Sequence, residues 1–149
     1  MKELNKKFLD PNLKNKSKTV EDKLQLVEFN GKMLPLPTEI EISESGTCNR
    51  SCSFCPRSDP NFEDKKEFIT NELHRKLCDQ LKELNYKGTI RYSGFVEPLI
   101  DKNIYNLINM TRTNLPNSNI EMVTNGDPLN LKRLLKLFDN GLNKILISA

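Results

Sequence analysis

From residue 38 onward the apolar positions change period repeatedly, from alternation to helical spacing and back. Thr38 to Ser43 alternates, with Ile40 and Ile42 on one face and Glu39 and Glu41 on the other, which predicts a strand. Acids on one strand face suit a barrel that encloses substrate, or an exposed edge. Leu73, Leu77, Leu81 and Leu84 then recur at helical spacing. Thr70 suits the N-cap of that helix, and the run ends near Gly88. His74 and Cys78, four apart, lie beside the leucine stripe, and Cys78 reads as a partly buried packing residue.

Thr89 to Ser93 predicts a second strand, and Asp101 to about Thr111 a second helix with Ile104, Leu107 and Ile108 facing inward. A third strand runs from Asn119 to Thr124. For the third helix, Asp127 is the expected cap and Pro128 the first helical residue. Leu131, Leu134, Leu135 and Phe138 line one side of it, and Gly141 supplies the left-handed stop. Lys144 to Ser148 predicts a last strand.

Four strands alternating with three helices imply an α/β fold with a parallel sheet and right-handed crossovers. Ligands collect at the carboxyl ends of such strands. A cysteine-rich loop follows the first strand, Glu97 the second and Asn125 the third, while Ser148 closes the fourth. Before Pro35 and Pro37 no such pattern holds. Residues 1–34, with Lys2, Lys6, Lys7, Lys14, Lys16 and Lys18 near their start, read as a polar, partly disordered lead-in to a folded domain spanning 35–149.

Composition narrows the class. The chain has 149 residues, 36% hydrophobic and 29% charged, enough for one domain with a real core. A formal charge of +3 is too small to imply nucleic acid or a membrane surface. The charged start does not resemble a signal peptide, and no apolar run is long enough to span a bilayer. The expected compartment is the cytoplasm, where clustered cysteines serve as metal ligands or catalytic groups more often than as disulfides.

The cysteines supply the candidate chemistry. Cys48-Asn49-Arg50-Ser51-Cys52-Ser53-Phe54-Cys55 has the spacing C-x3-C-x2-C. Thiolates are the usual ligands of iron–sulfur clusters, and three from one loop hold three corners of a cubane, leaving the fourth iron free. A zinc-binding interaction module is the alternative, using Cys48, Cys52, Cys55 and either Cys78 or His74. Structural zinc sites typically draw on paired ligand units, whereas the fourth candidate here stands alone and well downstream. A non-catalytic iron–sulfur protein is a third reading.

This stretch resembles the defining motif of the radical S-adenosylmethionine (SAM) superfamily, C-x3-C-x-Φ-C with Φ aromatic. Cys48, Cys52, Phe54 and Cys55 match it position by position. From Thr38 onward the chain looks like the first two-thirds of the family core, a partial (βα)6 barrel, with the C-terminal strands absent. The resemblance implies a 4Fe–4S cluster on Cys48, Cys52 and Cys55, with SAM bound at the unique iron through its methionine amino and carboxylate groups. It further implies reductive cleavage of SAM to a 5′-deoxyadenosyl radical, hydrogen abstraction from a substrate it does not identify, and an electron donor such as flavodoxin or ferredoxin.

Other residues carry over singly. Gly94-Phe95-Val96-Glu97-Pro98 is similar to the G-x-G-E-P segment of members with an added C-terminal cluster domain, although Val96 stands where the second glycine is usual. By that likeness Gly94 belongs to the SAM loop and Glu97 accepts a hydrogen bond from the methionine ammonium. Thr124-Asn125-Gly126 resembles the T-N-G that ends the third strand, Ser148 stands where a residue contacts the ribose, and Phe54 lies near adenine. The motif style suggests peptides, sugars or enzymes as substrates. The chain stops on the apolar strand Ile145-Leu146-Ile147-Ser148-Ala149, whose unpaired edge leads us to expect a fragment of a longer protein.

Overall fold

A computed structural model describes residues 24–63 and 65–148; most of the lead-in, residues 1–23, lies outside them. The chain divides into two compact units between Thr38 and Glu39. In the first, β1 (Leu26–Phe29) and β2 (Lys32–Pro35) pair antiparallel, with Leu26 opposite Pro35 and Phe29 opposite Lys32. Asn30 and Gly31 make the turn, both at positive φ (49° and 74°), as a two-residue hairpin loop requires. The lead-in expectation included no such hairpin. Asn-Gly between short apolar runs is a hairpin signal that the polar surroundings conceal.

The second unit holds the sheet. Its strands are β3 (Glu39–Ile42), β4 (Thr89–Tyr92), β5 (Asn119–Thr124) and β6 (Lys144–Ile147), all parallel and adjacent in sequence order. Between them run α1 (Asn71–Glu83), α2 (Ile104–Asn114) and α3 (Leu131–Asp139). The expected four strands and three helices are therefore present. The register aligns Glu41 with Arg91, Arg91 with Glu121, and Glu121 with Lys144.

Because side chains alternate along a strand, the sheet has two unlike faces. Ile42, Ile90, Tyr92, Ile120 and Met122 are buried on one, where Tyr92 stacks on His74 of α1. The other is charged: Arg91 binds Glu39 at 2.5 Å and Glu121 at 2.9 Å, and Lys144 lies 3.8 Å from Glu121. Charges thus line the face that a barrel would enclose.

The helices follow expectation unevenly. In α2, Ile104, Leu107 and Ile108 are fully buried, as their spacing predicts. For α1, Thr70 caps as expected, its hydroxyl accepting the Leu73 N–H at 3.1 Å. The inward face, however, is His74, Cys78 and Leu81, while Leu73 is 58% exposed. Polar partners on β4 and α2 set that orientation: His74 Nε2 meets the Tyr92 hydroxyl at 2.9 Å, and Cys78 Sγ meets Thr111 Oγ1 at 3.7 Å. Cys78 is more deeply buried than expected, and burial pushes its thiol up.

In α3 the cap is Asn130, which accepts the Arg133 N–H at 2.9 Å; Asp127 is used elsewhere. Leu137 is the buried residue, whereas Leu131 (71%), Leu135 and Phe138 are exposed. The stripe expected to pack inward is open on this chain. Gly141, at φ 105°, ends the helix as predicted, in a position where a Cβ would collide with Arg112.

Candidate functional site

The long connection after β3 carries the three cysteines, and its base is closed. The Ile69 N–H donates to the Glu44 carbonyl at 2.7 Å and the Gly46 N–H to the Glu67 carbonyl at 2.9 Å. A Cβ at Gly46 would sit 1.8 Å from the Lys65 carbonyl oxygen, so only glycine permits this approach.

From this base the loop is latched to the ends of two strands. The Glu97 N–H reaches the Thr47 carbonyl at 2.9 Å. Arg57 Nη1 donates to the carbonyls of Gly46 (3.2 Å) and Phe95 (2.9 Å), and its guanidinium lies over the Phe62 ring. On the other side Arg50 forks onto Asp127 through Nε (2.8 Å) and Nη2 (2.5 Å), while Asn49 Nδ2 donates to the same carboxylate at 3.0 Å. Mutual hydrogen bonding holds Arg50 above and Asp127 below its ordinary pKa. Asn125 closes the set, donating to Asn49 Oδ1 at 2.8 Å and approaching Cys48 Sγ at 3.9 Å.

These contacts enclose an open cleft of about 480 Å³ at the carboxyl ends of the strands. Cys48, Cys52, Cys55 and Phe54 line it from the loop. Gly94, Glu97, Asn125 and Ser148 line it from the ends of β4, β5 and β6. The residues that the radical SAM resemblance implies as cluster or SAM ligands therefore all line one cavity. The cysteines are half-buried free thiols, whereas Phe54 is 82% exposed at the rim. Gly94 adopts φ 119°, and a Cβ there would fall 2.1 Å from Ser43 Oγ. Val96 also lines the cleft.

Glu97 is 1% exposed and heavily engaged. Its Oε1 accepts from Thr124 Oγ1 at 2.6 Å and the Leu99 N–H at 3.0 Å, and its Oε2 accepts from the Asn125 N–H at 2.7 Å. A carboxylate offers about four acceptor positions, so one remains, on Oε2. The side chain thus joins the ends of β4 and β5 besides facing the cleft. Close by, Glu44 is wholly buried, and desolvation pushes its pKa up to about 7, with smaller contributions from Asp101 and Glu97. Glu44 Oε2 and Asp101 Oδ2 have no hydrogen-bond partner among the described residues.

The donor chemistry fits a thiolate-bound cluster: three sulfurs from one loop share one cleft wall, with Arg50 beside Cys48 and Cys52. Among the described residues, no three His, Cys, Asp or Glu side chains are arranged to hold a single metal ion. His74 and Cys78 do not line the cleft but meet each other at 3.7 Å beneath α1, where burial keeps the imidazole below its ordinary pKa. The fourth ligand of the zinc alternative is thus not brought to the cysteines.

Thr124, Arg50, Arg57 and Asp127 were given no role in the site by the sequence, where Asp127 stood as a helix cap and Thr124 only as part of the T-N-G likeness. Their partners lie too far along the chain for spacing to reveal, as in Asp127 with Arg50.

Comparison with known proteins agrees with this geometry. The family model described as the Radical SAM superfamily matches residues 42–149. The S-adenosyl-L-methionine-dependent 2-deoxy-scyllo-inosamine dehydrogenase of Niallia circulans is 33% identical over 109 residues, covering 73% of this chain and 43% of that protein. A GTP 3′,8-cyclase of Mesorhizobium japonicum is 29% identical over 112 residues, covering 73% of this chain and 33% of that one. Among solved structures, BtrN in complex with AdoMet and 2-DOIA superposes with a TM-score of 0.72 at 32% identity, over 75% of this chain and 45% of BtrN. BtrN in an open conformation gives 0.69. The chain spans less than half the length of these curated relatives.

Proposed function

The chain belongs to the radical SAM superfamily, and from that premise we propose that it carries the cluster- and SAM-binding part of an enzyme that abstracts hydrogen from a small polar substrate. One observation carries this reading: residues drawn from four separate stretches line a single cleft at the carboxyl ends of four parallel strands.

Cys48, Cys52 and Cys55 are the proposed ligands of a 4Fe–4S cluster. When bound and reduced, that cluster would supply the electron for reductive cleavage of SAM to methionine and a 5′-deoxyadenosyl radical. The chain's own residues bind and orient. Arg50 and Asp127 hold the loop against β5, and Arg57 holds it against the turn after β4. The remaining acceptor position on Glu97 Oε2 suits the SAM ammonium, a charge-assisted contact. Phe54 offers its ring to the adenine, and Ser148 and Asn125 offer polar groups to the ribose and the loop. Gly94, whose missing Cβ leaves room for Ser43 against the turn, belongs to the proposed SAM loop.

The relative from Niallia circulans is named for oxidation of an aminated cyclitol, and the charged sheet face beside the cleft favours a polar ring of that kind as substrate here. The electron donor in this reading is a flavodoxin or ferredoxin, and the compartment a reducing cytoplasm. Among the described residues, no helix is long and apolar enough to cross a membrane.

The test is anaerobic reconstitution of the full chain with iron and sulfide, followed by dithionite and SAM. About four irons per chain and binding of SAM are expected. Tight zinc in place of iron, or iron without any SAM binding, would overturn the proposal.

A further inference from the structure

Glu39 and Glu41 share one face of β3 but have different surroundings. Glu39 is bound by Arg91 Nη1, and Arg91 Nη2 goes to Glu121. Glu41 lines the cleft, lies exposed, and takes no hydrogen bond or ion pair from any described residue. Its Oε1 stands 3.5 Å from the place a Cβ on Gly94 would occupy, so the carboxylate rests against the glycine turn. The cleft's cations are committed to other partners, Arg50 to Asp127 and Arg57 to two backbone carbonyls. Arg91, the cation whose field Glu41 feels, is held between Glu39 and Glu121.

A carboxylate is an acceptor only, and its strongest small-molecule complement is an ammonium, through a charge-assisted hydrogen bond. Glu97, placed after β4, already offers an acceptor position to the SAM ammonium. Glu41 lies before the end of β3, further toward the interior of the sheet face, beyond the turn assigned to the cofactor.

We infer that Glu41 is a substrate-recognition residue, accepting a charge-assisted hydrogen bond from a protonated amine on a small polar molecule. This rests on the reading of the cleft as the SAM site, and it adds the amine to the substrate class.

Glucosamine, glucose and glucuronate share a ring and differ in charge, so they serve as probes. Calorimetric titration of the reconstituted, SAM-loaded full chain at mildly acidic pH should show glucosamine binding about tenfold tighter than glucose, with glucuronate weakest. In Glu41→Gln the glucosamine advantage should disappear. Equal affinities in the wild type, or an unchanged ranking in the variant, overturn the inference. An unchanged ranking together with about tenfold weaker SAM binding would assign Glu41 to the cofactor instead, which also overturns it. Should the wild type bind neither iron nor SAM, the reading of the cleft fails, and the same ranking measured on the metal-free chain still decides the role of Glu41.

Discussion

Asp127 grips the guanidinium of Arg50 with both carboxylate oxygens, joining residues 77 positions apart and pinning the cysteine loop to the turn after β5. Both side chains are substantially exposed, so the pair adds little to global stability. Its effect is local. Asp127→Asn and Arg50→Lys, neither of which preserves the forked geometry, should leave the thermal midpoint of the apo chain nearly unchanged. Iron release from the reconstituted protein to a chelator should accelerate several-fold in each. Unaltered release rates would show that the latch does not hold the loop.

Single replacement of Cys48, Cys52 or Cys55 by alanine should abolish the brown chromophore and reduce bound iron to background. Cys78→Ala should retain both, because that thiol is buried beside His74 and Thr111, away from the cleft. Its cost should appear in unfolding instead, at about 1–2 kcal/mol for a lost buried group. Metal loss in the Cys78 variant would return the zinc module to consideration.

Glu97→Ala is expected to act twice. Removing the carboxylate deprives SAM of one charge-assisted contact, about 1.5–3 kcal/mol of affinity. It also leaves the Thr124 hydroxyl and the amides of Leu99 and Asn125 without their acceptor, so the fold should lose about 3–5 kcal/mol. Comparing the SAM dissociation constant with the denaturation midpoint separates the effects. A stable variant with weakened SAM binding would mean that the strand-end bonds re-form with water.

Glu44 should make stability fall as pH rises. Its folded pKa, about 7, lies above the ordinary 4.5, so between those values the native state holds a proton that the unfolded chain has released. The stabilising contribution is complete below the lower value and lost as pH passes the higher one, on the order of 3 kcal/mol in all. His74, buried and depressed, slopes the opposite way. The difference between wild type and Glu44→Gln, measured by denaturation at pH 5 and pH 8, isolates the carboxyl. The variant should be the more stable of the two at pH 8, and equal stabilities there would refute the assignment.

The outward stripe of α3 predicts self-association of the 149-residue chain. Leu131, Leu135 and Phe138 are exposed on one helix, and Ile147 on the edge strand β6. Light scattering should show oligomers that Leu131→Lys with Leu135→Glu disperses. Oligomers that persist in the double variant would point to strand pairing along β6.

Much of this was legible in the sequence, and what was not shares a cause. The strands, the α2 core, the Thr70 cap and the Gly141 stop depend on near neighbours, so spacing and turn chemistry expose them. The cysteine spacing is equally local. The orientation of α1 was hidden because Tyr92 and Thr111, far along the chain, decide that His74 and Cys78 face inward. Asp127 looked like a helix cap until Arg50 was brought to it, and Asn130 then filled that place. The position of Glu97 at a strand end was legible, but its bond to Thr124 was not.

The row from Glu39 through Arg91 to Glu121 also guards against misalignment while the strands assemble. Slipping β4 by one residue would turn Arg91 toward the buried face and Tyr92 toward the charged one, an arrangement no helix here could accept. A slip of two restores the faces but moves the guanidinium by about 6.6 Å, out of reach of the carboxylates that now flank it. Neither error offers a comfortable resting place. A chain whose apolar strands would tolerate several alignments is therefore steered to the single one that sets the ends of β3, β4 and β5 level beneath the cysteine loop.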